Sequence, residues 1–308
     1  MLATHFPGIR TIVLDRNYGF TGGYNRAMAR LLSGPGPRPE YLLLLNSDIL
    51  VEPGWLDRLT DYMDTHPECG VCGPKLLALT HKDGAYIQTD RLEYAGAAGG
   101  YIDRFGYPFC RGRVLSRTDV DGPGYSSVKD VLWVSGACLM TRASLWEESG
   151  GLDERFFAHM EEIDYCWRAQ LAGHRVRVVP SSRVWHLGGG TLPRTSATKL
   201  RLNYRNGLLL LDNNLAPTIG RFKARVRIIT RLVLDDCSAL VYLLVGKTDF
   251  CGSVFRAHRE YRRLRKVPHK AVSRNGDVRG VAPVCIILQS LLRGERIFDY
   301  LRRYEDSH

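Results

Sequence analysis

Tyr41-Leu-Leu-Leu-Leu-Asn-Ser-Asp48 is a run of large apolar residues that ends at two polar residues and a carboxylate. The turn signals Pro35-Gly-Pro37 and Pro53-Gly54 flank it, and a run this short predicts a buried strand of a parallel sheet rather than a helix. Ligands of open α/β sheets bind at the carboxyl ends of the strands, which places Asp48 where a metal-bound phosphate can be held. Asn, Ser and Asp are also common turn residues, so a plain turn into residues 51–55 is an equal alternative.

Three carboxylates crowd the start of a predicted helix in Glu161-Glu-Ile-Asp-Tyr-Cys-Trp-Arg168. A helix N-terminus favours anions, which offsets part of their mutual repulsion. Asp164 and Arg168 lie one turn apart and are predicted to pair. Glu161 and Glu162 remain, and a carboxylate whose pKa is raised by a like-charged neighbour suits a general base. A solvated acidic helix start is the commoner explanation of such a cluster seen alone.

A histidine precedes a glycine run in Val184-Trp-His186-Leu-Gly-Gly-Gly-Thr191, which follows a short predicted strand at residues 176–180. Imidazole is a common ligand for borderline divalent metals, and glycines let the backbone approach a ligand closely. His186 is therefore a candidate metal ligand, although a lone histidine is more often an ordinary loop residue.

Six segments follow one another along the chain: Asn17-Tyr-Gly-Phe-Thr-Gly-Gly-Tyr-Asn25, Leu45-Asn-Ser-Asp48, Gly73-Pro-Lys75, Val134-Ser-Gly-Ala137, Glu161-Glu162 and His186-Leu-Gly-Gly-Gly190. In this order, over roughly residues 5–215, they resemble the inverting family 2 glycosyltransferases of the GT-A fold, especially the rhamnosyltransferase-like bacterial members. The resemblance implies a mostly parallel sheet flanked by helices, in a GT-A domain over residues 1–195. A basic helical extension is expected over residues 196–308.

The resemblance also implies roles for individual residues. Asp48 and His186 would hold a divalent cation, Mg²⁺ or Mn²⁺, on the diphosphate of a nucleotide-diphospho-sugar donor, and Glu162 would deprotonate the acceptor hydroxyl. The acceptor would be a cell-surface glycan or a lipid-linked sugar. The expected donor-binding residues are Asn17, Gly19, Gly23, Asn25, Asn46 and Asp48; those expected to bind the acceptor or the sugar are Trp133, Gly136, Ala137, Glu161 and Asp164.

Three departures from the family pattern qualify these roles. Glu162 stands where Asp is usual, which moves the carboxylate by about one ångström. Asn46 replaces the first Asp of the DxD motif, so weaker metal binding is expected. The strands that hold the nucleotide base in the family have no counterpart: residues 2–6 resemble the end of the helix that follows them, and residues 9–14 are predicted to form a strand. A catalytically inactive, truncated transferase is therefore an alternative.

The positive charge lies in the C-terminal part of the chain. From Arg194 onward there are 23 Lys and Arg against 10 Asp and Glu, whereas the whole chain has a net charge of +11. The apolar segments there are too short and too interrupted by charges to span a bilayer. An amphipathic basic region on an anionic membrane surface is expected, in a cytoplasmic protein peripheral to the inner face of the cytoplasmic membrane. A nucleic-acid-binding module is the rival, but no recognition motif accompanies the charge.

Two further expectations concern cysteines and a variable segment. The eight cysteines lie mostly in apolar contexts, which favours reduced thiols, and Cys69-Gly-Val-Cys72 has metal or redox spacing without a second pair nearby. A strand and turn is the expected explanation there. Residues 80–125, rich in Gly, Tyr and Asp, are predicted to be a variable loop that contacts donor or acceptor.

Overall fold

A computed structural model describes residues 2–187, 196–272 and 274–306. The glycines of the motif after His186 lie outside the described residues. The strands, in chain order, are β1 (Tyr41–Leu45), β2 (Ile49–Val51), β3 (Cys69–Lys82), β4 (Ala85–Leu92), β5 (Gly100–Ile102), β6 (Pro108–Cys110), β7 (Arg113–Val114), β8 (Arg117–Thr118), β9 (Lys129–Asp130), β10 (Cys138–Arg142) and β11 (Arg175–His186). The α-helices are α1 (Leu2–His5), α2 (Gly19–Ser33), α3 (Trp55–Thr65), α4 (Ala143–Ser149), α5 (Glu161–Leu171), α6 (Ala197–Ile219), α7 (Arg221–Leu244), α8 (Thr248–Leu264), α9 (Ile286–Arg293) and α10 (Ile297–Asp306).

The main sheet has the strand order β1-β10-β3-β11-β2, with β4 added on β3 and β9 on β11, and a smaller sheet has the order β5-β6-β7-β8. The predicted α/β class, a sheet flanked by helices with further helices at the C-terminal end, is confirmed. The predicted strand direction is wrong, because β3 with β11 is the parallel pair among the described strands and the remaining strand pairs are antiparallel.

Strand β1 shows why direction could not be inferred from hydrophobicity. It pairs antiparallel with β10, yet it is apolar throughout. Leu42 and Leu44 lie in the main core, while Leu43 packs on the opposite face with the cluster that includes Leu59 and Met63 of α3. Because both faces of this sheet are covered, an antiparallel strand needs the same apolar run that is typical of parallel sheets.

The N-terminal prediction is half right. Residues 2–5 form the short helix α1, as expected. Residues 9–14 do not form the predicted strand, because no strand lies beside them in the described residues to complete a ladder, and Ile9 and Val13 are exposed. A hydrogen bond from Arg30 Nη1 to the Val13 carbonyl, 3.0 Å long, ties this segment to α2.

The segment 80–125 is not the loop that its composition predicted. It contains all of β4–β8, and its apolar side chains, such as Phe109, Val114 and Tyr125, are buried in the main core. Short strands separated by glycines have the composition of a loop, although here they form a second small sheet.

The C-terminal helices share the main core with the α/β part. The same hydrophobic cluster contains Trp167 of α5, Leu208 and Leu211 of α6, and Phe298 of α10. Asp164 makes the predicted ion pair with Arg168, at 2.7 Å, and also accepts hydrogen bonds from Asn213 and Asn214 of α6, each 2.8 Å long. Packing and polar contacts thus join residues 196–306 to α5.

Two sequence expectations about the whole chain can be compared with the structure. Among the helices described, none combines the length and hydrophobicity that a bilayer span requires. All eight cysteines are free thiols, and Cys69 and Cys72 are buried on β3, as the strand explanation predicted.

Trp133 was expected to bind the sugar or the acceptor, but it belongs to the core. It is 3 % exposed, and its indole Nε1 donates to the Tyr101 carbonyl at 3.1 Å. Its ring lies so close to Gly100 that a Cβ there would be 1.9 Å from Trp133 Cε2. The indole therefore fixes the small sheet against the segment that precedes β10, and we reassign Trp133 to this structural role.

Gly100→Ala is expected to lower the free energy of unfolding by roughly 1–3 kcal/mol, because the methyl group would overlap the buried indole ring. The measurement is a urea titration followed by tryptophan fluorescence. Gly122→Ala is the matched control, since nothing lies within 4 Å of its Cβ position and its backbone is extended. Equal midpoints for the two variants would contradict this account of the packing.

Candidate active site

The loop of residues 134–137, between β9 and β10, brings the predicted segments together. Its Ser135 hydroxyl donates to the Ala95 carbonyl at 2.7 Å and accepts from Ala137 N at 3.3 Å. The Ala137 carbonyl accepts from Asn46 N at 2.9 Å. A Cβ on Gly136 would lie 3.4 Å from Glu162 Cβ and 3.4 Å from the ring of Phe20. The end of β1, the start of α2 and the start of α5 therefore meet at this loop.

Asp48 and His186, the two predicted metal ligands, lie side by side. Asp48 sits in the turn between β1 and β2, and β2 pairs antiparallel with β11 so that His186 lies opposite Ile49. His186 Nε2 is 3.3 Å from Asp48 Oδ1, and Leu187 N donates to the Asp48 carbonyl at 3.1 Å. The pairing of β11 with β2 thus brings together two residues that are 138 positions apart in the chain.

Glu93 is a site residue that the sequence did not reveal. It directly follows β4, is 2 % exposed, and its Oε1 is 3.4 Å from Nδ1 of His186. Its Oε2 accepts from Ala95 N, next to the 134–137 loop. A single glutamate in a glycine-rich stretch belongs to no recognisable sequence motif. Its place beside His186 follows from the pairing of β4 with β3, which the sequence did not reveal.

His186 is nearly buried between two carboxylates. Burial disfavours the imidazolium, but the carboxylates of Glu93 and Asp48 outweigh it and raise the pKa of His186 above its ordinary value. His186 Nδ1 is buried and has no well-aligned hydrogen bond. Glu93 therefore stands on the far side of the imidazole from Asp48.

The donor set fits a divalent cation. A carboxylate and an imidazole suit Mn²⁺ and similar borderline ions, and a second carboxylate behind a ligating histidine is the common supporting arrangement. In the described part of the chain, no three His, Cys, Asp or Glu side chains converge on one metal position. A cation held by Asp48 and His186 would therefore take its other ligands from the donor diphosphate and water.

Glu161 and Glu162 open α5 in a protected environment. Glu161 is 5 % exposed, and Oε2 of each glutamate is shielded from solvent without a hydrogen-bond partner among the described residues. Burial and the charge of Glu162 raise the pKa of Glu161 well above its ordinary value. Burial raises the pKa of Glu162 to about 7, so this carboxylate can accept a proton near neutral pH.

The glycine-rich segment at the start of α2 divides into structural and open positions. Asn17 Oδ1 accepts from Gly19 N at 2.8 Å, which forms the turn into the helix. Gly19 has φ +72°, and a Cβ there would lie 2.5 Å from the Phe157 ring. Nothing lies within 4 Å of the Cβ position of Gly23. Gly23 and the half-buried Asn46 thus remain accessible to a donor.

Asn25 and Asp164 have structural roles instead of the substrate contacts expected of them. The Asn25 amide donates to the Leu152 carbonyl at 2.8 Å and accepts from Leu152 N at 2.9 Å, which ties α2 to the segment before α5. Asp164 is fully buried, and its carboxylate binds Arg168, Asn213 and Asn214. Both polar groups are engaged in these hydrogen bonds, so we reassign both.

The chain is similar to a known protein family and to several of its members. The model of the family "Glycosyltransferase like family 2" matches residues 2–207. N-acetylglucosaminyl-diphospho-decaprenol L-rhamnosyltransferase of Mycobacterium tuberculosis is 28 % identical over 211 residues, which is 67 % of each chain. Rhamnosyltransferase WbbL of Escherichia coli is 26 % identical over 186 residues, covering 60 % of this chain and 66 % of that protein.

Solved structures give more distant similarities. GalNAc-T7 with UDP, GalNAc and Mn²⁺ has a TM-score of 0.45 at 14 % identity, covering 65 % of this chain and 35 % of its own. The mannosyltransferase PcManGT of Pyrobaculum calidifontis, in complex with GDP-Man and Mn²⁺, has a TM-score of 0.42 at 11 % identity, covering 84 % and 71 %.

The family match extends over more than half of the chain and includes every segment of the site described above up to His186. The α/β fold, with its sheet flanked by helices, is the one that the GT-A resemblance implied. The chain therefore belongs to glycosyltransferase family 2 and is a glycosyltransferase of the GT-A fold.

Proposed function

We propose that this glycosyltransferase transfers a deoxyhexose, L-rhamnose foremost, from a nucleotide diphosphate to a hydroxyl of a lipid-linked or growing cell-surface glycan. The names of the rhamnosyltransferase relatives support the sugar and the class of acceptor. The observation that carries the proposal is the 134–137 loop, which joins the turn that holds Asp48 to the glutamate pair of α5. A donor-diphosphate site and a base thus border one loop.

Glu162 would remove the proton from the acceptor hydroxyl as its oxygen attacks the anomeric carbon. The new bond joins that oxygen to the carbon, the bond from the carbon to the diphosphate oxygen breaks, and the electron pair leaves with the nucleotide diphosphate. A single displacement of this kind inverts the anomeric carbon. Asp48 and His186 would hold a divalent cation, which supplies charge neutralisation to the leaving diphosphate when bound.

Further contacts are assigned by position. Gly23 and Asn46 would face the donor together with Asp48, because both leave open space near the end of β1. Gly136 and Ala137 would line the sugar or acceptor side next to Glu162. Burial raises the pKa of both Glu161 and Glu162, so one carboxyl of the pair can keep its proton while the other is ionised.

We also propose that the protein binds the inner face of the cytoplasmic membrane peripherally. Helix α7 exposes a line of apolar side chains on one face, here named the α7 stripe: Phe222, Val226, Ile229, Val233, Leu240 and Leu244. Exposed cations lie at both ends of the helix, Arg221, Lys223 and Arg225 at one and Lys247 at the other.

The occupant that best fits the α7 stripe is an anionic lipid surface. Apolar side chains enter the headgroup boundary while flanking Lys and Arg bind anionic lipids. A second copy of the chain would bring like charges together, and a nucleic acid would leave the apolar residues in water. A lipid-linked acceptor would lie at this same surface.

Glu162→Gln is expected to abolish transfer while leaving nucleotide binding unchanged, because the amide cannot accept the proton. The activity of the unchanged protein should rise with pH through about 7, where Glu162 loses its proton. The assay is release of dTDP from dTDP-L-rhamnose over a pH series. Glu148→Gln, at an exposed glutamate, is the control. Retained turnover would remove Glu162 from the mechanism.

The same variant should change stability with a definite sign. Because the pKa of Glu162 is raised on folding, its stabilising contribution is present below its unfolded pKa of about 4.5 and is lost as pH rises through about 7. Glu162→Gln should therefore melt several degrees higher than the unchanged protein at pH 8, with a smaller difference at pH 5.5. A lower melting temperature at pH 8 would contradict burial of this carboxylate.

Asp48→Ala is expected to eliminate cation-dependent binding of nucleotide, and Glu93→Gln to weaken Mn²⁺ binding about 10- to 100-fold through loss of support for His186. Titration calorimetry with UDP and dTDP, with and without Mn²⁺, measures both. Asp57→Ala, at an exposed carboxylate on α3, should change neither. Nucleotide binding that is indifferent to Mn²⁺ would refute the cation site. A folded chain that binds neither nucleotide would favour the inactive transferase.

Phe222→Glu combined with Ile229→Glu is expected to reduce binding to vesicles containing phosphatidylglycerol by about tenfold, since both changes place a carboxylate on the α7 stripe. Co-sedimentation at several vesicle concentrations gives the partition. The matched control is Tyr86→Glu with Ile87→Glu, which changes two exposed apolar residues of β4. Equal binding of both double variants would refute the α7 stripe as the membrane contact.

A further inference from the structure

The backbone just before the glutamate pair is held in an unfavourable conformation. Phe157, His159 and Met160 have φ values of +64°, +71° and +71°, in the left-handed region that residues with a Cβ avoid. Met160 is the residue that caps the N-terminus of α5, immediately before Glu161. Such a backbone persists only where surrounding contacts fix it, and it is often found next to catalytic groups.

Asn206 of α6 supplies contacts of that kind. Its amide nitrogen is 3.1 Å from the carbonyl oxygen of Phe156, 2.8 Å from that of Ala158 and 2.7 Å from that of His159. The two N–H groups of the amide are the donors, so one of them is shared between two carbonyl oxygens. One side chain from the C-terminal helices therefore donates hydrogen bonds to three carbonyl groups of segment 155–160.

Arg205 fixes the orientation of this amide. Its Nε donates to Asn206 Oδ1 at 2.8 Å, which leaves the amide nitrogen directed at the segment. Its Nη2 donates to the Phe156 carbonyl at 2.7 Å and reaches the Arg155 carbonyl at 3.4 Å. Asn206 is completely buried, so water cannot replace its hydrogen bonds if the side chain is removed.

The opposite side of the segment rests on α2. Thr21 N donates to the Phe157 carbonyl at 3.3 Å, and the Phe157 ring packs against Gly19. The body of α5 is anchored separately, by the contacts of Arg168 with Asp164 and with the Ser149 and Gly151 carbonyls. Loss of Asn206 should therefore release the start of α5 while the rest of the helix stays in place.

We propose that Asn206, oriented by Arg205, is a positioning residue that holds segment 155–160 in its left-handed conformation and thereby sets where the carboxylates of Glu161 and Glu162 lie. This inference rests on the proposed role of Glu162 as the base. In this proposal α6 helps to position the active-site carboxylates, although Asn206 itself contacts the backbone of the segment rather than the reactants.

Asn206→Ala is expected to lower kcat about 10- to 100-fold, since a misplacement of one ångström has effects of this size. The dissociation constant for dTDP should stay within about twofold, because the contacts of Asp48, His186 and Asn46 are untouched. Hydrogen–deuterium exchange should rise in the peptide covering residues 155–162 and stay unchanged at the end of α5. Turnover is measured with dTDP-L-rhamnose, and exchange by mass spectrometry of the intact, folded chain.

Asn203→Ala is the matched control, because Asn203 lies on the same helix one turn earlier and is only half-buried. It should leave kcat and exchange unchanged. Asn206→Ser provides a milder change, which keeps one donor and should give an intermediate kcat. If Asn206→Ala does not fold, the same comparison is made with the serine variant.

Two results would overturn the inference. Unchanged exchange in residues 155–162 of a folded Asn206 variant would show that the amide does not hold the segment. Increased exchange with unchanged kcat would show that the segment does not position the base. Exchange is read without any reaction, so it tests the contact even if the unchanged protein fails to use dTDP-L-rhamnose. That failure would count against the proposed sugar or function instead.

Discussion

The small loop of residues 134–137 is the constraint on which the site depends. Ser135 bonds to the segment beside Glu93, Ala137 bonds to Asn46, and Gly136 lies against Glu162 and Phe20. These contacts bring together groups from both ends of the α/β part. A Cβ at Gly136 would lie 3.4 Å from Glu162 Cβ, so the loop and the start of α5 are in van der Waals contact. The position of the proposed base relative to the proposed cation ligands is thus set largely by hydrogen bonds to the backbone.

The site concentrates carboxylates that would be more stable in water. Glu93, Glu161 and Glu162 are withdrawn from solvent, and burial of the two α5 glutamates raises their pKa values. Such groups reduce stability near neutral pH. Adjacent structure offsets this cost: Asp164 and Arg168 are buried as a well-bonded pair, and Asn213 and Asn214 complete the hydrogen bonds of Asp164. The same helix therefore has a strained start, which carries the proposed base, and a firmly anchored body, which keeps the unfavourable groups in place.

Sequence patterns revealed those parts of the site in which chemistry and local spacing coincide. Asp48 at the end of an apolar run, the adjacent Glu161 and Glu162, and His186 before glycines were singled out as candidates, and the structure places Asp48 beside His186. Glu93 and Asn206 were missed, since each gains its meaning from partners far along the chain. Strand direction was also missed, because covering both faces of the sheet makes antiparallel strands apolar. Asn25 and Trp133 were assigned to ligands although they bond to backbone groups, a difference that residue type alone does not encode.

The C-terminal helices join two requirements of the proposed reaction. Helix α6 contacts the backbone before the base through Asn206, and α7 displays the apolar stripe. Helix α7 is also tied to the α/β part, because the buried Arg231 donates to the Gly106 carbonyl at 2.9 Å. An ion pair with Asp235 of the same helix, at 2.8 Å, holds the Arg231 side chain. A lipid-linked acceptor must present its hydroxyl to a base that is fixed relative to the membrane. In the proposed membrane-bound state, helices that hold the proposed base on one side and meet the lipid on the other would fix that relation.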